Sequence, residues 1–533
     1  MALRHSGAPP MRAAVGRAVR RAAASSSRPS PRAWSTARSE AATATADDAA
    51  TPPSPPSFRA HIDFRALQAS LPAHRANVAA RLSPADPDAV AALYDAWRSA
   101  ADAADAARAQ RNELAASMKK PVPPDEREKL VAAGRAAKER AAALEAAAAA
   151  ADDALQAAAQ RLPNLAHPDA PVGGEEHAVV VREVGSRPEF PFPPLDHLAL
   201  ASSLDLIDFD AGAAAAGTKF VYLKRAAAQL ELALCTWALG RATAAGFVPM
   251  TTPDLVRASV LEKCGFQPRA DNTQVYSIED SPLCLTGTAE VPLAAVHMDA
   301  IVDTAALPIR MAAFGHCFRT EAGAAGSASR GLYRVHQFSK VELFVLCDAA
   351  SSDALLADLV AFEESLFRDL GLHYRLLDMP TGDLGAPAHR KFDVEAWMPG
   401  LARYGEVSSA SNCTDYQARR LNIRHRPGGA AGSGRGAPQF VHTLNATAAA
   451  VPRLVVAILE NFQDESGCVT VPEPLRPFMG GVDVIWTSSG RPGERGGGRS
   501  ARGVCATRGP ATERQGRRRH AAVAHGGAAR ARG

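Results

Sequence analysis

Two long alanine-rich segments, separated by prolines, constrain the fold of this chain more than any other feature. Apolar or small residues recur at alternating spacings of three and four from Val90 to Met118, and again from Leu130 to Leu162. This period places them along one stripe of an α-helix, and alanines in the stripe let two helices approach closely. Three prolines at positions 121–124 break the pattern. The segments predict an antiparallel coiled-coil hairpin over residues 88–162.

The hairpin is long for an element with so little core of its own. An arm of about 30 residues reaches roughly 45 Å at the helical rise per residue. We expect it to project from a body and to touch a large partner. The pattern leaves open the alternative that it serves in dimerisation or packing.

The chain beyond Pro163 changes to a mixed pattern. The run Val179–Val181 predicts a strand, and strands around 310–346 and 373–378 flank a helix predicted at 352–370. We therefore predict an α+β protein, in which a mixed, largely antiparallel sheet is flanked by helices. The G-x-G-x-x-G and G-x-x-x-x-G-K-[ST] fingerprints are absent, which argues against a Rossmann or P-loop nucleotide site.

The two ends of the chain differ in composition from its body. Residues 1–57 carry eight arginines against three acids and residues 486–533 carry eleven against two, whereas residues 58–485 carry 41 bases and 51 acids. An arginine- and serine-rich, acid-poor N terminus is typical of transit peptides. We predict an organellar protein of the mitochondrion, the chloroplast or both; a disordered tail on a cytoplasmic protein is the alternative. The Arg/Gly-rich C-terminal segment has too few large apolar residues to fold.

Composition excludes several classes of protein. The eight cysteines contain no C-x-x-C pair, so they indicate buried thiols and neither a zinc knuckle nor a disulfide framework. No apolar run approaches the roughly 20 residues that span a bilayer, and we expect a soluble protein without a membrane partner. Because the body is acidic overall, a nucleic acid would have to bind local basic patches.

One predicted hairpin, over residues 318–342, carries the clearest chemistry. Its first strand offers Arg319, and its last strand offers Glu342. The planar guanidinium of arginine binds phosphate with two hydrogen bonds, whereas a carboxylate binds an amino group. With Thr288-Ala289-Glu290 and the segment 406–409, this hairpin would form a site for ATP and an amino acid. An ion pair between Arg319 and the nearby Glu321 is the alternative.

Five segments in this order resemble the seryl-tRNA synthetase family, of the bacterial and organellar kind, within the class II aminoacyl-tRNA synthetases. They are Gly246-Phe247 with Met250 and Pro253 (motif 1), Thr286–Glu290 (the serine loop), Phe318–Glu321 with Arg330-Gly331 and Val335–Glu342 (motif 2), Ser408–Gln417 (a family signature) and Thr443–Thr447 ending in Arg453 (motif 3). The resemblance runs from about His61 to Ile485.

The resemblance implies a domain order, an assembly and a reaction. A probable transit segment (1–57) would precede a tRNA-binding domain with its coiled-coil arm (58–170), a class II catalytic core (171–485) and a disordered tail (486–533). The protein would be a homodimer whose arm grips serine tRNA across the dimer. It would activate L-serine with ATP to seryl-adenylate and pyrophosphate, and then charge tRNA(Ser), with tRNA(Sec) as a further candidate acceptor, for organellar translation.

The same resemblance assigns the site residues. Arg319, Glu406 and Arg453 would be catalytic, and Glu406 and Ser409 would hold Mg²⁺. The residues implied for ATP are Arg319, Thr320, Glu321, Val335, His336, Gln337, Phe338, Glu406, Val407, Ser408, Ser409 and Arg453, and those for serine are Thr288, Glu290, Glu342 and Thr447. Within the ATP set, Arg319 would clamp the α-phosphate, Glu321 and Phe338 would hold adenine, and Arg453 would meet the γ-phosphate. Which pocket residue binds the ammonium of serine, and which its hydroxyl, is left open.

The arm carries candidate phosphate contacts near its tip. They are Arg111, Lys119, Lys120, Arg127, Lys129, Arg135, Lys138 and Arg140. Since acids such as Glu113 and Glu126 are interleaved with them, a solvated coiled-coil face is the alternative.

The sequence departs from the family pattern at two places, and two other functions compete with the one that the resemblance implies. Ala446-Thr447 stands where relatives often have Gly-Ser, and Pro452 precedes the motif 3 arginine where they often have glycine. One competing function is a non-catalytic scaffold, which would be expected to lose Arg319, Glu406 or Arg453; all three are present. The other is a class II enzyme for a different amino acid, which the arm and Thr288-Ala289-Glu290 argue against.

Overall fold

The computed structural model describes residues 56–268, 273–322, 331–427 and 436–486. All of these belong to one compact unit that begins at Ser54. The transit segment up to residue 55, Arg330 with most of its loop, the Gly-rich segment 428–435, and the C-terminal tail from residue 487 lie outside the described residues. The predictions for these segments therefore stay predictions.

The described residues form twelve α-helices and seventeen strands. The helices are α1 Phe64–Ala69, α2 Leu71–Ala80, α3 Pro87–Ser117, α4 Pro124–Ala159, α5 His197–Ser203, α6 Phe209–Ala216, α7 Arg225–Ala244, α8 Ala258–Lys263, α9 Glu290–Ala295, α10 Ser352–Asp369, α11 Tyr416–Leu421 and α12 Val451–Asn461. The strands are β1 Val179–Val184, β2 Ile207–Asp208, β3 Tyr222–Leu223, β4 Val248–Thr251, β5 Leu255–Arg257, β6 Leu283–Leu285, β7 Ile301–Val302, β8 Ile309–Phe318, β9 Gln337–Cys347, β10 Tyr374–Asp378, β11 Arg390–Met398, β12 Arg403–Asn412, β13 Arg424–His425, β14 Gln439–Phe440, β15 His442–Ala450, β16 Val469–Thr470 and β17 Val484–Ile485.

The predicted coiled-coil hairpin is confirmed as the pair α3 and α4. Asp86 caps α3 by accepting from the amides of Asp88 and Ala89, and Pro124 is the first residue of α4, a position where proline costs no hydrogen bond. Small residues on both helices are buried at the seam, among them Ala104 at 2% exposure and Ala141 at 0%. Because alanine has no side chain beyond Cβ, the two backbones can lie close together.

The base of the arm is anchored to the rest of the unit by a buried arginine. Arg81, just after α2, is 6% exposed. Its guanidinium donates to the carbonyls of Ala388 at 2.8 Å, Asn164 at 2.9 Å and Gly385 at 2.6 Å. Burial lowers the pKa of Arg81 to about 10, so it stays charged at neutral pH.

An eight-stranded sheet forms the centre of the body, in the order β1-β10-β11-β12-β15-β9-β8-β4. Every neighbouring pair is antiparallel except β4 and β8, which are parallel. One face packs against α7, α10 and α12, whose apolar residues join the largest buried cluster. The α+β prediction with a largely antiparallel sheet is confirmed.

The motif 1 segment connects α7 to the edge strand β4. Gly246 ends the helix with φ at +86°, a conformation that glycine adopts without steric cost. The amide of Phe247 bonds back to the carbonyl of Ala242 at 3.0 Å, which turns the chain directly into β4. Within the described part of the chain, no helix is both long and apolar enough to cross a bilayer.

Candidate active site

A cleft of about 540 Å³ opens on the sheet where β8, β9, β12 and β15 lie side by side. Of the residues predicted to bind ATP or serine, those that line it are Arg319, Glu321, Val335, Phe338, Glu406, Ser408, Ser409, Thr447 and Arg453. The fold thus brings motif 2, the 406–409 segment and motif 3 together, although Arg319 of motif 2 and Arg453 of motif 3 are more than 130 residues apart in the sequence. Leu332, Tyr333, Arg334, Lys340, Ala450 and Pro452 complete the wall.

Arg319 follows the last residue of β8 and faces the cleft with its guanidinium. The guanidinium carbon lies 5.3 Å from the ring centroid of Phe338, within the range of a cation–π contact, and Nε donates to the carbonyl of Gly287 at 3.4 Å. The alternative of an ion pair with Glu321 is wrong, because Glu321 accepts from Arg334 at 3.0 Å instead. Among the described residues, Arg319 therefore keeps its charge available for an anion.

Arg453 and Glu406 form an ion pair on the opposite wall. Arg453, the third residue of α12, donates from Nη1 to a Glu406 carboxylate oxygen at 2.9 Å and to its backbone carbonyl at 3.2 Å. The guanidinium of Arg453 also lies 4.8 Å from the centroid of the Tyr333 ring. Burial opposes ionisation of Glu406, but Arg453, Lys391 and Arg319 outweigh it and lower its pKa. Glu406 is therefore ionised at neutral pH.

A β-bulge places Glu406 and Ser409 on the same side of the sheet. Residues three apart on a regular strand face opposite sides. The register of β12 against β11 shifts, however, so that Ser408 pairs with Val394 while Glu406 pairs with Glu395. The extra residue, Val407, is fully buried in the core. The bulge thus turns both predicted metal ligands toward the cleft.

The donor chemistry of this pair fits Mg²⁺. An ionised carboxylate and a hydroxyl are the hard oxygen ligands this ion takes, and Mg²⁺ is held by one or two carboxylates together with substrate phosphates. In the described ranges, no group of three or more His, Cys, Asp or Glu side chains could hold a metal alone. Glu406 and Ser409 would therefore hold the ion only in combination with a bound nucleotide.

Four residues predicted to bind ATP do not present their side chains to the cleft. Val407 is in the core because of the bulge. The hydroxyl of Thr320 donates to the carbonyl of Thr273, and the His336 ring stacks on Phe220 with 5.2 Å between centroids. Gln337 is exposed and lines the neighbouring hollow, since strand residues alternate between faces and Phe338 takes the cleft side.

The predicted serine pocket lies deeper, at the end of the cleft formed by Lys340 and Thr447. The Thr288 hydroxyl donates to Glu342 at 3.0 Å, and Lys340 forms an ion pair with the same carboxylate. Thr447 on β15 is directly opposite Glu342 on β9, so their side chains share one face. Burial raises the pKa of Glu342, although Lys340 opposes this.

Glu290 is the second carboxylate of this pocket and is held by amides. It is the first residue of α9, and its Oε1 accepts from Gln417 at 2.6 Å and from Asn445 at 3.2 Å. Burial, with the nearby Glu342, raises the pKa of Glu290 to about 7, although Gln417, Lys340 and Arg319 favour the charged form. No cation forms a salt bridge with Glu290 among the described residues.

Sequence reasoning missed the residues that hold these carboxylates. In the sequence, Lys340 belongs only to motif 2, Gln417 to the family signature and Asn445 to motif 3. The sequence does indicate that Lys340 and Glu342 point to the same face of the sheet, because they are two residues apart on a predicted strand. Nothing in the sequence places Gln417 against Glu290, since 127 residues separate them.

The eight predicted tRNA contacts all lie in the distal half of the arm. Seven are exposed and Arg111 is half-buried. Arg135 pairs with Glu139 at 3.5 Å, with both side chains more than 70% exposed. Residues 111–140 contain eight bases against five acids. Their local excess of positive charge contrasts with the acidic body.

The sequence matches two family models. Residues 62–166 match the seryl-tRNA synthetase N-terminal domain, and residues 275–462 match the tRNA synthetase class II core domain (G, H, P, S and T). A serine–tRNA ligase of Treponema denticola is 45% identical over 422 residues, which cover 79% of this chain and 99% of that protein. One of Rhodopirellula baltica is 46% identical over 416 residues, covering 77% and 96%.

Solved structures agree with these matches. The crystal structure of seryl-tRNA synthetase from Pyrococcus horikoshii complexed with ATP superposes with a TM-score of 0.72 at 35% identity, covering 80% of this chain and 99% of that one. The cytoplasmic serine–tRNA ligase of Naegleria fowleri in complex with AMP gives 0.68 at 28% identity, covering 80% and 98%. The chain therefore belongs to the seryl-tRNA synthetase family of class II aminoacyl-tRNA synthetases.

Proposed function

We propose that this protein activates L-serine with ATP and transfers it to the 3′ end of tRNA(Ser). The observation that carries the proposal is one cleft in which Arg319, which has no ion-pair partner among the described residues, and the Arg453–Glu406 pair adjoin a pocket of two carboxylates and two threonines. The relatives named serine–tRNA ligase, and one solved with ATP, support it.

The first step needs positioning and charge stabilisation more than acid–base catalysis. The serine carboxylate attacks the α-phosphorus of ATP, the bond to the β-phosphate oxygen breaks, and pyrophosphate leaves with the electron pair. A carboxylate is already a nucleophile at neutral pH, so the site has only to align it and neutralise the growing charge. We assign the α-phosphate to Arg319, and the γ-phosphate to Arg453 once a nucleotide competes for its guanidinium. The terminal ribose hydroxyl of the tRNA then attacks the acyl carbon and releases AMP.

Mg²⁺ is the cofactor that Glu406 and Ser409 would hold. It would supply charge neutralisation for the phosphates. The ion pair with Arg453 keeps the Glu406 carboxylate ionised and oriented toward the cleft. Adenine would lie between Phe338 and the Arg453 side, with Glu321 accepting from its amino group.

The contacts within the pocket indicate which of its two carboxylates would bind the ammonium of serine and which would bind the hydroxyl. Lys340 already neutralises Glu342, whereas Glu290 receives only amide donors. We assign the ammonium of serine to Glu290, and its hydroxyl to Glu342 with Thr447 opposite. A pocket that pairs a substrate hydroxyl rejects an analogue lacking it by up to roughly 10⁵-fold, because buried polar groups are then unsatisfied.

The arm and the surface near motif 1 point to the two macromolecular partners. The exposed bases of the distal arm would contact the phosphates of tRNA. Leu232 on α7 is 65% exposed and Val248 on the edge strand β4 is 58% exposed. The outer side of β4 pairs with no other strand among the described residues. Such a sheet edge with exposed apolar side chains is a surface that a second copy can cover, and we propose a homodimer through it.

The location of the protein is proposed from composition alone. Residues 1–57 have the arginine-rich, acid-poor character of transit peptides, and we propose import into the mitochondrion, the chloroplast or both. Imaging a fluorescent fusion of residues 1–60 tests this; a diffuse cytoplasmic signal would contradict it.

Pyrophosphate exchange tests the activity. We expect ATP–pyrophosphate exchange with serine and much weaker exchange with threonine, glycine or alanine. Absence of exchange with all four would favour the scaffold hypothesis, and preference for another amino acid would favour a different class II enzyme. Charging of tRNA(Ser), and of tRNA(Sec) as a second proposed acceptor, is measured with the same protein.

A further inference from the structure

A buried carboxyl group lies behind the serine pocket, on a helix that contributes nothing to the sequence motifs. Glu363 on α10 is fully buried. Its Oε1 accepts from the backbone amide of Thr447 at 2.9 Å. This contact occurs where the register of β15 against β9 shifts, between Thr447 and Ala449. The bulge leaves the Thr447 amide for a side chain to satisfy.

The peptide groups on both sides of Thr447 are held by side chains. Glu363 takes the amide, and the hydroxyl of Ser408 donates to the Thr447 carbonyl at 2.6 Å. Thr447 lies opposite Glu342 and lines the cleft beside Lys340. Its position therefore decides the width of the pocket that we assign to the side chain of serine.

Glu363 has the surroundings of a neutral carboxyl group. Its second oxygen, Oε2, is buried without a hydrogen-bond partner among the described residues, and no lysine or arginine forms a salt bridge with it in the described ranges. A buried, unpaired carboxylate is costly. Burial accordingly raises the pKa of Glu363 well above its ordinary value, although Ser408 and the Thr447 amide oppose this and Asp393 and Glu342 add to it.

We propose that Glu363 is a positioning residue for serine specificity: as a hydrogen-bond acceptor it holds the bulged Thr447 at the distance from Glu342 that fits a serine side chain. The inference rests on the proposed function, because it concerns the amino-acid half of the same site. Glu363 does not line the cleft itself.

Two substitutions of Glu363 show whether the site needs a hydrogen-bond acceptor at this position or a negative charge. Glu363→Gln keeps a carbonyl acceptor in an uncharged group of the same shape, so we expect KM values for serine and ATP within about twofold of wild type. Glu363→Met fills the space without an acceptor and leaves the Thr447 amide unsatisfied, a loss that corresponds to a change of roughly tenfold. We expect the KM for serine to rise by about that factor in pyrophosphate exchange, while the KM for ATP stays within about twofold.

The neighbouring residue offers a matched control. Glu364 is 3% exposed on the same helix but pairs with Arg182, whose Nε donates to it at 2.9 Å. Glu364→Gln is expected to lower the melting temperature without changing the KM for serine. Should Glu363→Met fail to fold, Glu363→Asp, which withdraws the carboxyl by one methylene, gives the same test.

The outcomes separate the inference from the proposed function. Serine-dependent exchange by the wild-type protein tests the function alone. Equal increases in both KM values in Glu363→Met, or a Glu363→Gln variant as impaired as Glu363→Met, would overturn the positioning role while leaving the activity of the wild type intact.

Discussion

We expect serine binding to depend on pH through Glu290, in a direction that follows from the burial of its carboxyl group. Burial and Glu342 raise the pKa of Glu290 to about 7, and only its ionised form can pair with the ammonium of serine. The ionised fraction of such a group rises about tenfold between pH 6 and pH 8. We therefore expect the KM for serine to fall by up to about tenfold over this range, with most of the change between pH 6 and 7.

Ionisation of Glu290 has the opposite effect on the stability of the fold, so the change in serine affinity can be distinguished from a change in stability. The folded state binds the Glu290 proton more tightly than the unfolded state, where the pKa is near 4.5. Ionisation thus weakens the fold as pH rises from about 4.5 to 7, and adds no further change above that. A serine affinity that improves over pH 6–7 cannot then be attributed to a stabilised fold at Glu290.

Steady-state pyrophosphate exchange at saturating ATP measures the effect, with the KM for ATP as the internal reference. Glu290→Gln removes the titrating group and is expected to give a high, pH-independent KM for serine. A flat profile in the wild type, or the same slope in Glu290→Gln, would show that Glu290 does not bind the ammonium.

Three further predictions address other parts of the molecule. Arg319→Ala is expected to abolish pyrophosphate exchange and leave the oligomeric state seen by gel filtration unchanged; a wild-type rate would refute the phosphate assignment. Replacing residues 105–140 by a short Gly-Ser linker removes all eight basic residues that are candidate tRNA contacts and keeps the part of the arm next to the body. Pyrophosphate exchange should persist and tRNA charging should be lost. Undiminished charging would show that the arm does not bind the tRNA. Lys340→Met leaves Glu342 buried without its cation and should lower the free energy of unfolding, measured by chemical denaturation, by about 3–5 kcal/mol. Adding Glu342→Gln should restore most of this loss. If the double variant is no more stable than Lys340→Met, the ion pair between Lys340 and Glu342 is not the cause.

The elements with a strong local period were predictable from sequence. The helix expected at 352–370 is α10, Ser352–Asp369, and the strand expected at 373–378 is β10, Tyr374–Asp378. The coiled coil was predicted to within a few residues, because prolines and alanine spacing act within a few turns of the chain. Patterns of this kind depend on neighbours three or four positions away, which a sequence displays directly.

Site geometry was less predictable, as residues 406–409 show. Their spacing alone would send Glu406 and Ser409 to opposite faces, and only the pairing of β12 with β11 introduces the bulge that reunites them. Likewise, Glu321 could have paired with Arg319, but the folded hairpin gives it Arg334. Which partner a charged group takes depends on distances across strands, which a sequence does not display.

By itself, the sequence determined the arm, the alternation of strands and helices, and the residue types that bind a triphosphate and an amino acid. Only the tertiary structure decided which carboxylate is paired with a cation, which one accepts hydrogen bonds from amide side chains, and which one is buried without a salt bridge among the described residues. The physical reason is that burial and charge pairing act through space: Lys340, Gln417 and Glu363 set the state of the pocket from three separate elements, brought together only when the sheet is covered by its helices.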